Sequence, residues 1–278
     1  MKTSLFISYL LVAFIAMVSC DPTSPAPAIN YKIKELTILF NDDTANYSFS
    51  YDGTNLNSIT RDGRNYANIT YADNKAWVMM NYNFYKDTFL INYNGSKLVD
   101  SIKHFNGIDN RHFFRNVSNH LDSCRYTESG KSLFYSNFAE SGGQPFTYDH
   151  SNVYTCGVFN TCYQTNKDTI LYNTRINQAN LPGQFLTMPL SEGISLLDLN
   201  PLFLVQQSSI FLYQPHANLI SNLYTSYSIL VSQSPPKRLH FRYEYSFDSK
   251  GRITLIYQYD DLLSTSIPFK TYALTYFD

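Results

Sequence analysis

Charge is scarce in this chain. Asp, Glu, Lys and Arg make up 15% of its 278 residues and nearly cancel, leaving a net charge of -1. Nucleic-acid binders concentrate Lys and Arg on one face, and with no such footprint that class is excluded. So few charges also leave little to solvate long helices. Catalytic signatures are missing as well, since no G-x-S-x-G, H-E-x-x-H, P-loop or G-x-G-x-x-G occurs. Only five glutamates are present, Glu35, Glu128, Glu140, Glu192 and Glu244, which is thin material for a glycosidase pair facing across a cleft. His104, His112 and His120 are evenly spaced, but an interval of eight suits ligands neither on a helix nor along one strand. Asp42-Asp43 and Asp260-Asp261 read as strand ends, because no EF-hand-like ladder accompanies them. No metal or other cofactor is expected, and a non-catalytic role follows.

Cysteine is sparse too. Cys20 ends an apolar run, Leu5 to Val18, that has the length of a signal-peptide core and is short for a membrane span. The sequence Met17-Val18-Ser19-Cys20 resembles the lipobox of bacterial lipoproteins, with Met where Leu is usual. That resemblance implies cleavage before Cys20, lipidation of its sulfur, and anchoring of the mature chain in a membrane. The alternative is an ordinary secretory peptide cut near Ser19 or Cys20. Asp21 does not by itself choose between membranes. With Cys20 spoken for, Cys124, Cys156 and Cys162 remain, an odd count that in an oxidising compartment allows one bridge or none. Cys156 and Cys162 flank five residues and are the pair expected to bridge a hairpin. The expected organisation is a signal peptide over 1–19, a lipidated Cys and Pro-rich tether over 20–30, and one β-rich domain over 31–278.

Aromatic residues, by contrast, are abundant. The chain carries 24 Tyr and 20 Phe against a single Trp, a composition that favours half-buried pleated surfaces. From Arg238 to Asp261, His240, Arg242, Glu244 and Ser246 alternate with Phe241, Tyr243, Tyr245 and Phe247. The reversal Asp248-Ser249-Lys250-Gly251 follows, and alternation resumes through Ile253, Leu255 and Tyr257. This is the period-two signature of a hairpin. Looser copies turn at Asp52-Gly53, at Ala72 to Lys75, at Asn94-Gly95 and at Thr127 to Lys131. The middle reads as strands at Thr147 to Tyr154, Thr161 to Gln164 and Thr169 to Ile176. Asn200-Pro201 is a helix start, an N-cap followed by Pro at the first helical position, ahead of the apolar run Leu202 to Val205. A helix of about two turns is expected there, buried against the sheet. The fold predicted is all-β: one large curled antiparallel sheet of meandering hairpins around a short buried helix. A two-sheet β-sandwich is the alternative. The run Ala76-Trp77-Val78-Met79-Met80 is so apolar that Trp77 is expected in the core.

The order of these parts, and above all Tyr245-Ser-Phe-Asp-Ser-Lys-Gly-Arg-Ile253, resembles the Bacteroidetes cell-envelope lipoproteins of unknown function with Tyr/Phe-rich, YD-like hairpins. What the resemblance implies is an outer-membrane or cell-surface location and no catalytic residues. The function expected is a binding or accessory component that uses its β-surface, held to the membrane by its lipid and monomeric. Its partner would be a glycan, a peptide or an envelope protein. The alternatives are an envelope hydrolase acting on glycan or peptide, and a structural subunit docking on an outer-membrane barrel.

Overall fold

The computed structural model describes residues 31–82, 86–105, 110–115, 121–128, 131–141, 144–156, 160–176, 199–210, 218–227, 237–264 and 266–277. The first seven strands are β1 (Ile33–Phe40), β2 (Asp43–Asp52), β3 (Asn55–Arg61), β4 (Arg64–Ala72), β5 (Lys75–Asn81), β6 (Lys86–Tyr93) and β7 (Val99–His104). They are followed by β8 (Asn110–Arg115), β9 (Leu121–Glu128), β10 (Lys131–Ser141), β11 (Gln144–Cys156) and β12 (Asn160–Ile176). A short helix, α1 (Pro201–Gln206), precedes β13 (Asn218–Tyr227), β14 (Lys237–Phe247), β15 (Ile253–Asp260) and β16 (Lys270–Tyr276). The chain is all-β, as the alternation predicts. The two strand signals expected within 161–176 merge into one 17-residue strand, β12.

Tight turns explain the meander. Phe40 pairs with Asp43, Asp52 with Asn55, Arg61 with Arg64 and Ala72 with Lys75, so four successive hairpins each turn on two residues. Asn41, Gly53, Asp62, Gly63 and Asp73 occupy those loops with positive φ. Asn, Asp and Gly tolerate that region, and the resulting turns match the right-handed twist of the strands. Every strand pairs antiparallel with its chain neighbour, and β16 pairs back onto β1, closing the ladder into a barrel. The ladder runs without a break, whereas a sandwich requires one.

Closure gives the sheet an inner and an outer face, and the sequence assigns them by parity. Ala45, Tyr47 and Phe49 on β2 and Ala76, Val78 and Met80 on β5 are buried, while their neighbours are exposed. Buried side chains from β1–β8 and β12–β16 join one cluster with α1, on the enclosed side of the closed sheet. The outer positions of β2, Thr44, Asn46, Ser48 and Ser50, are exposed and polar.

Helix α1 belongs to that core. Asn200 caps it as predicted, its Oδ1 accepting from the Leu202 and Phe203 amides at 2.7 and 3.1 Å. Leu202 to Val205 are buried, and Phe203 meets Phe49 edge-on at 6.3 Å. Polar ties fix the segment at both ends. The Tyr66 hydroxyl donates to the Leu199 carbonyl and accepts from its amide. Past the helix, Ser208 Oγ accepts from the Leu56 amide at 2.8 Å and lies 2.7 Å from the Tyr71 hydroxyl. Burial pushes Tyr71 up to about 12, so its hydroxyl stays protonated at any physiological pH and donates to the Leu56 carbonyl.

The most recognisable stretch of the sequence is a staple. In the β14–β15 turn, Asp248 Oδ1 accepts from the Lys250 and Arg252 amides at 2.9 and 2.8 Å, and its Oδ2 accepts from Arg252 Nε at 2.7 Å. Arg252, only 8% exposed, donates to the Phe277 carbonyl and lies over the Tyr276 ring. The motif therefore ties this hairpin to the closing strand β16.

Candidate functional site: an aromatic shelf on the outer wall

The wall formed by β5, β6 and β7 departs from the polar character of β2. Strand β5 alternates strictly, and the pleat that buries Ala76, Val78 and Met80 sends Trp77 and Met79 outward, 38% and 43% exposed. This corrects the expectation that Trp77 lies in the core: hydropathy across 76–80 is uniform, but a strand in a one-sided sheet buries only alternate residues. Trp77 stands opposite Leu90 on β6, and Leu90 stands opposite Lys103 on β7. One row along, Met79 faces Thr88, whose carbonyl accepts from the Phe105 amide at 2.9 Å.

Trp77 and Phe105 therefore lie two strands apart, yet their rings meet across β6. The centroids are 5.2 Å apart and the planes 26° from parallel, a stacked pair with Phe105 45% exposed. The Lys103 ammonium lies 5.2 Å from the Phe105 centroid, a favourable cation–π position. Neutral hydrogen-bonding groups border the pair, including Thr88 and the Asn92 amide, which donates to Ser101 Oγ at 2.9 Å. Lys75 on β5 and Lys86 on β6 are exposed on the same wall. Neither β5 nor β6 presents a carboxylate outward: Asp87, the one acid of the two strands, pairs with inward-facing Met80. Chemically this is a shelf of partly exposed aromatic surface with neutral donors and acceptors beside it and lysines at its border.

Among the described residues, two His–Asp pairs come nearest to catalytic geometry. His104 Nε2 lies 2.9 Å from Asp87 Oδ1, and the ring stacks on Phe89 with centroids 4.7 Å apart. On the outer face, His240 Nδ1 lies 3.2 Å from Asp261 Oδ2 while its Nε2 lies 2.9 Å from Asn222 Oδ1. Arg242 contacts Asp261 at 3.4 Å, pairs with Glu244 and covers the Tyr259 ring, and the Tyr259 hydroxyl donates to Glu244. With both His240 nitrogens engaged, that imidazole has no position left to take a proton from a nucleophile. The cluster clips β13, β14 and β15 together. Glu35 accepts from the Thr275 hydroxyl on the β1–β16 seam, far in sequence and role from Glu244. Among the described residues no group of three His, Cys, Asp or Glu could hold a metal ion.

Of the residues singled out in the sequence, Cys20 lies outside the described residues. Cys156 and Cys162 stand on β11 and β12, where the register sets Cys156 opposite Asn160 and Cys162 opposite Tyr154. Their side chains lie outside the described residues, as do His120 and Glu192. Phe105 escaped the sequence reading, although its parity with Ser101 and Lys103 is the signal that places it outward.

No family model and no curated protein matches the chain. Among solved structures, it is similar to a porin-like protein from Bacteroides uniformis at 13% sequence identity and a TM-score of 0.50. The match covers 91% of this chain and 100% of that one. At that identity the likeness is one of fold.

Proposed function

We propose that the chain is a non-catalytic cell-envelope lipoprotein that recognises its ligand on the outer wall of β5–β7. The carrying observation is the exposed, stacked Trp77–Phe105 pair. Large aromatic side chains are costly to leave in water, and contiguous exposed ones mark interaction surfaces. The lipobox at Cys20 supports an envelope address, and the porin-like neighbour is compatible with it. A channel reading has less support. Barrels that conduct through membranes turn an apolar band outward and a polar lining inward, whereas here the core faces inward and β2 is polar outside.

The test is sedimentation of the purified mature protein with envelope fragments of its own cells. Wild type is expected to pellet, and a Trp77→Ala, Phe105→Ala double variant with an unchanged far-UV spectrum is expected to stay in solution. Equal pelleting of the two refutes the reading. A second reading, docking on a membrane partner, is favoured by the β15–β16 loop, where Leu262, Leu263 and Ile267 are 61%, 75% and 70% exposed. It predicts the reverse: pelleting that survives the shelf variant and is lost when those three become Ser.

A further inference from the structure

We infer that the shelf binds an acidic polysaccharide, its sugar rings packed against the exposed surface of the Trp77–Phe105 pair and its anionic groups drawn to the lysine border. This names the ligand class of the site proposed above and rests on that proposal. Three observations lead to it.

The first is the composition of the wall. A sugar ring offers an apolar C–H face to an aromatic plane and hydroxyls around its rim. The shelf supplies both complements, stacked rings beside the Thr88 hydroxyl and the Asn92–Ser101 pair. Sites of this kind combine aromatic area with a few convergent polar groups.

The second is charge. Lys75, Lys86 and Lys103 are exposed on the wall; of its two acids, Asp87 pairs with inward-facing Met80 and Asp100 on β7 is exposed, so positive charge outnumbers negative there. The whole chain is near neutral, so this local excess is a property of the wall and not of the protein. A positive border selects anions and steers their approach.

The third is relief, which separates a glycan from a lipid surface. Insertion among acyl chains needs apolar side chains that stand clear of the wall, as Leu263 does on the β15–β16 loop. Trp77 and Phe105 lean on each other across β6 and are less than half exposed. Pressing this wall into hydrocarbon would bury Thr88, Asn92 and Ser101 against nothing that returns their hydrogen bonds to water. Sugar hydroxyls return them.

Trp77 is the only tryptophan in the chain, so its emission reports this site alone. The experiment titrates the purified mature protein with sodium polygalacturonate, with dextran as the neutral polymer and phosphatidylglycerol vesicles as the anionic lipid. A saturable change in Trp77 emission with polygalacturonate, at concentrations where dextran and vesicles give none, is expected. Phe105→Ala, which keeps the reporter, is expected to raise the apparent Kd about tenfold. Lys103→Ala is expected to raise it less and to flatten its dependence on salt. Affinity electrophoresis of Trp77→Ala through polygalacturonate gels gives an independent readout, with loss of retardation expected. No response to polygalacturonate, an equal response to dextran, or a response to vesicles in its place overturns the assignment. If envelope sedimentation still depends on Trp77 in that event, the recognition surface stands and only its ligand class falls; if sedimentation is indifferent to Trp77, both fall.

Discussion

Replacing Asp248 by Ala removes the centre of the β14–β15 staple, and the structure sets the size of the effect. Three donors lose their acceptor: the Lys250 amide, the Arg252 amide and Arg252 Nε. The two amides belong to a turn open to water, so their loss resembles removal of a cap, about 1 kcal/mol. The Arg252 contact is charge-assisted and its guanidinium is buried, so losing it costs about 1.5–3 kcal/mol. The carboxylate retains some solvent contact, which keeps the loss below that of a fully buried pair. The sum is about 2–4 kcal/mol, or roughly 5–15 °C in Tm for a domain of this size. Asp248→Asn keeps an acceptor for the two amides and gives up the charge, so it falls between wild type and Asp248→Ala.

A pH series separates this mechanism from general damage. Partial burial of the Asp248 carboxyl works to raise it and is the largest single influence. The hydrogen bonds and charge of Arg252, helped by the Lys250 amide, outweigh it and hold the group below the usual carboxylate range. A depressed carboxyl contributes its stability above the unfolded value, about 3.9, and loses it as pH falls through the lower folded value. Melting of wild type and Asp248→Asn followed by circular dichroism should show a gap that is constant from neutral pH to about 5 and closes below about 4. A gap under ~0.5 kcal/mol at pH 7, a size ordinary for surface substitutions, or one that persists to pH 2, would refute the staple.

Two further predictions concern the interior. Ser208→Ala leaves the buried Leu56 amide without its acceptor and the Tyr71 hydroxyl with one partner fewer; a loss of about 1–3 kcal/mol in urea unfolding is expected, and no loss would mean that the tie is incidental. Burial raises Tyr243, Tyr245 and Tyr272 above the ordinary phenol value, so their neutral forms stabilise the fold below about pH 10 and that contribution fades as pH climbs. Absorbance at the tyrosinate band should therefore rise in two stages, exposed phenols first and the buried set together with loss of the far-UV signal, whereas a single stage with intact secondary structure would contradict the burial.

Most of the wall was legible because its signals are local. Asp52-Gly53 and Asn94-Gly95 announce their turns, alternation from Arg238 to Asp261 announces its hairpin, and Asn200-Pro201 announces α1. Closure was not legible, since the pairing of Ile38 with Tyr272 joins residues that no local pattern connects. The shelf was missed for a related reason. Trp77 sits in an apolar run whose inward members, Ala76, Val78 and Met80, disguise the outward ones, and its partner Phe105 directly follows a strand two places away. Parity tells which face a residue takes; only the register between strands tells what it meets there.

The seam between β1 and β16 has a consequence for how the molecule comes into being. Most ladders join segments that follow one another directly, but this one must bring Lys32 to Phe277, whose amide donates to the Lys32 carbonyl at 3.1 Å. Zipping of neighbours can begin as soon as each hairpin emerges, while the seam waits for the last strand and carries the entropy of the longest loop. Until then two unpaired borders stand open to foreign strands. Once it has formed, the two borders vanish together, and a version with Lys32 joined to Phe277 and opened at Gly53-Thr54 would postpone a different pairing to the end while building the same wall.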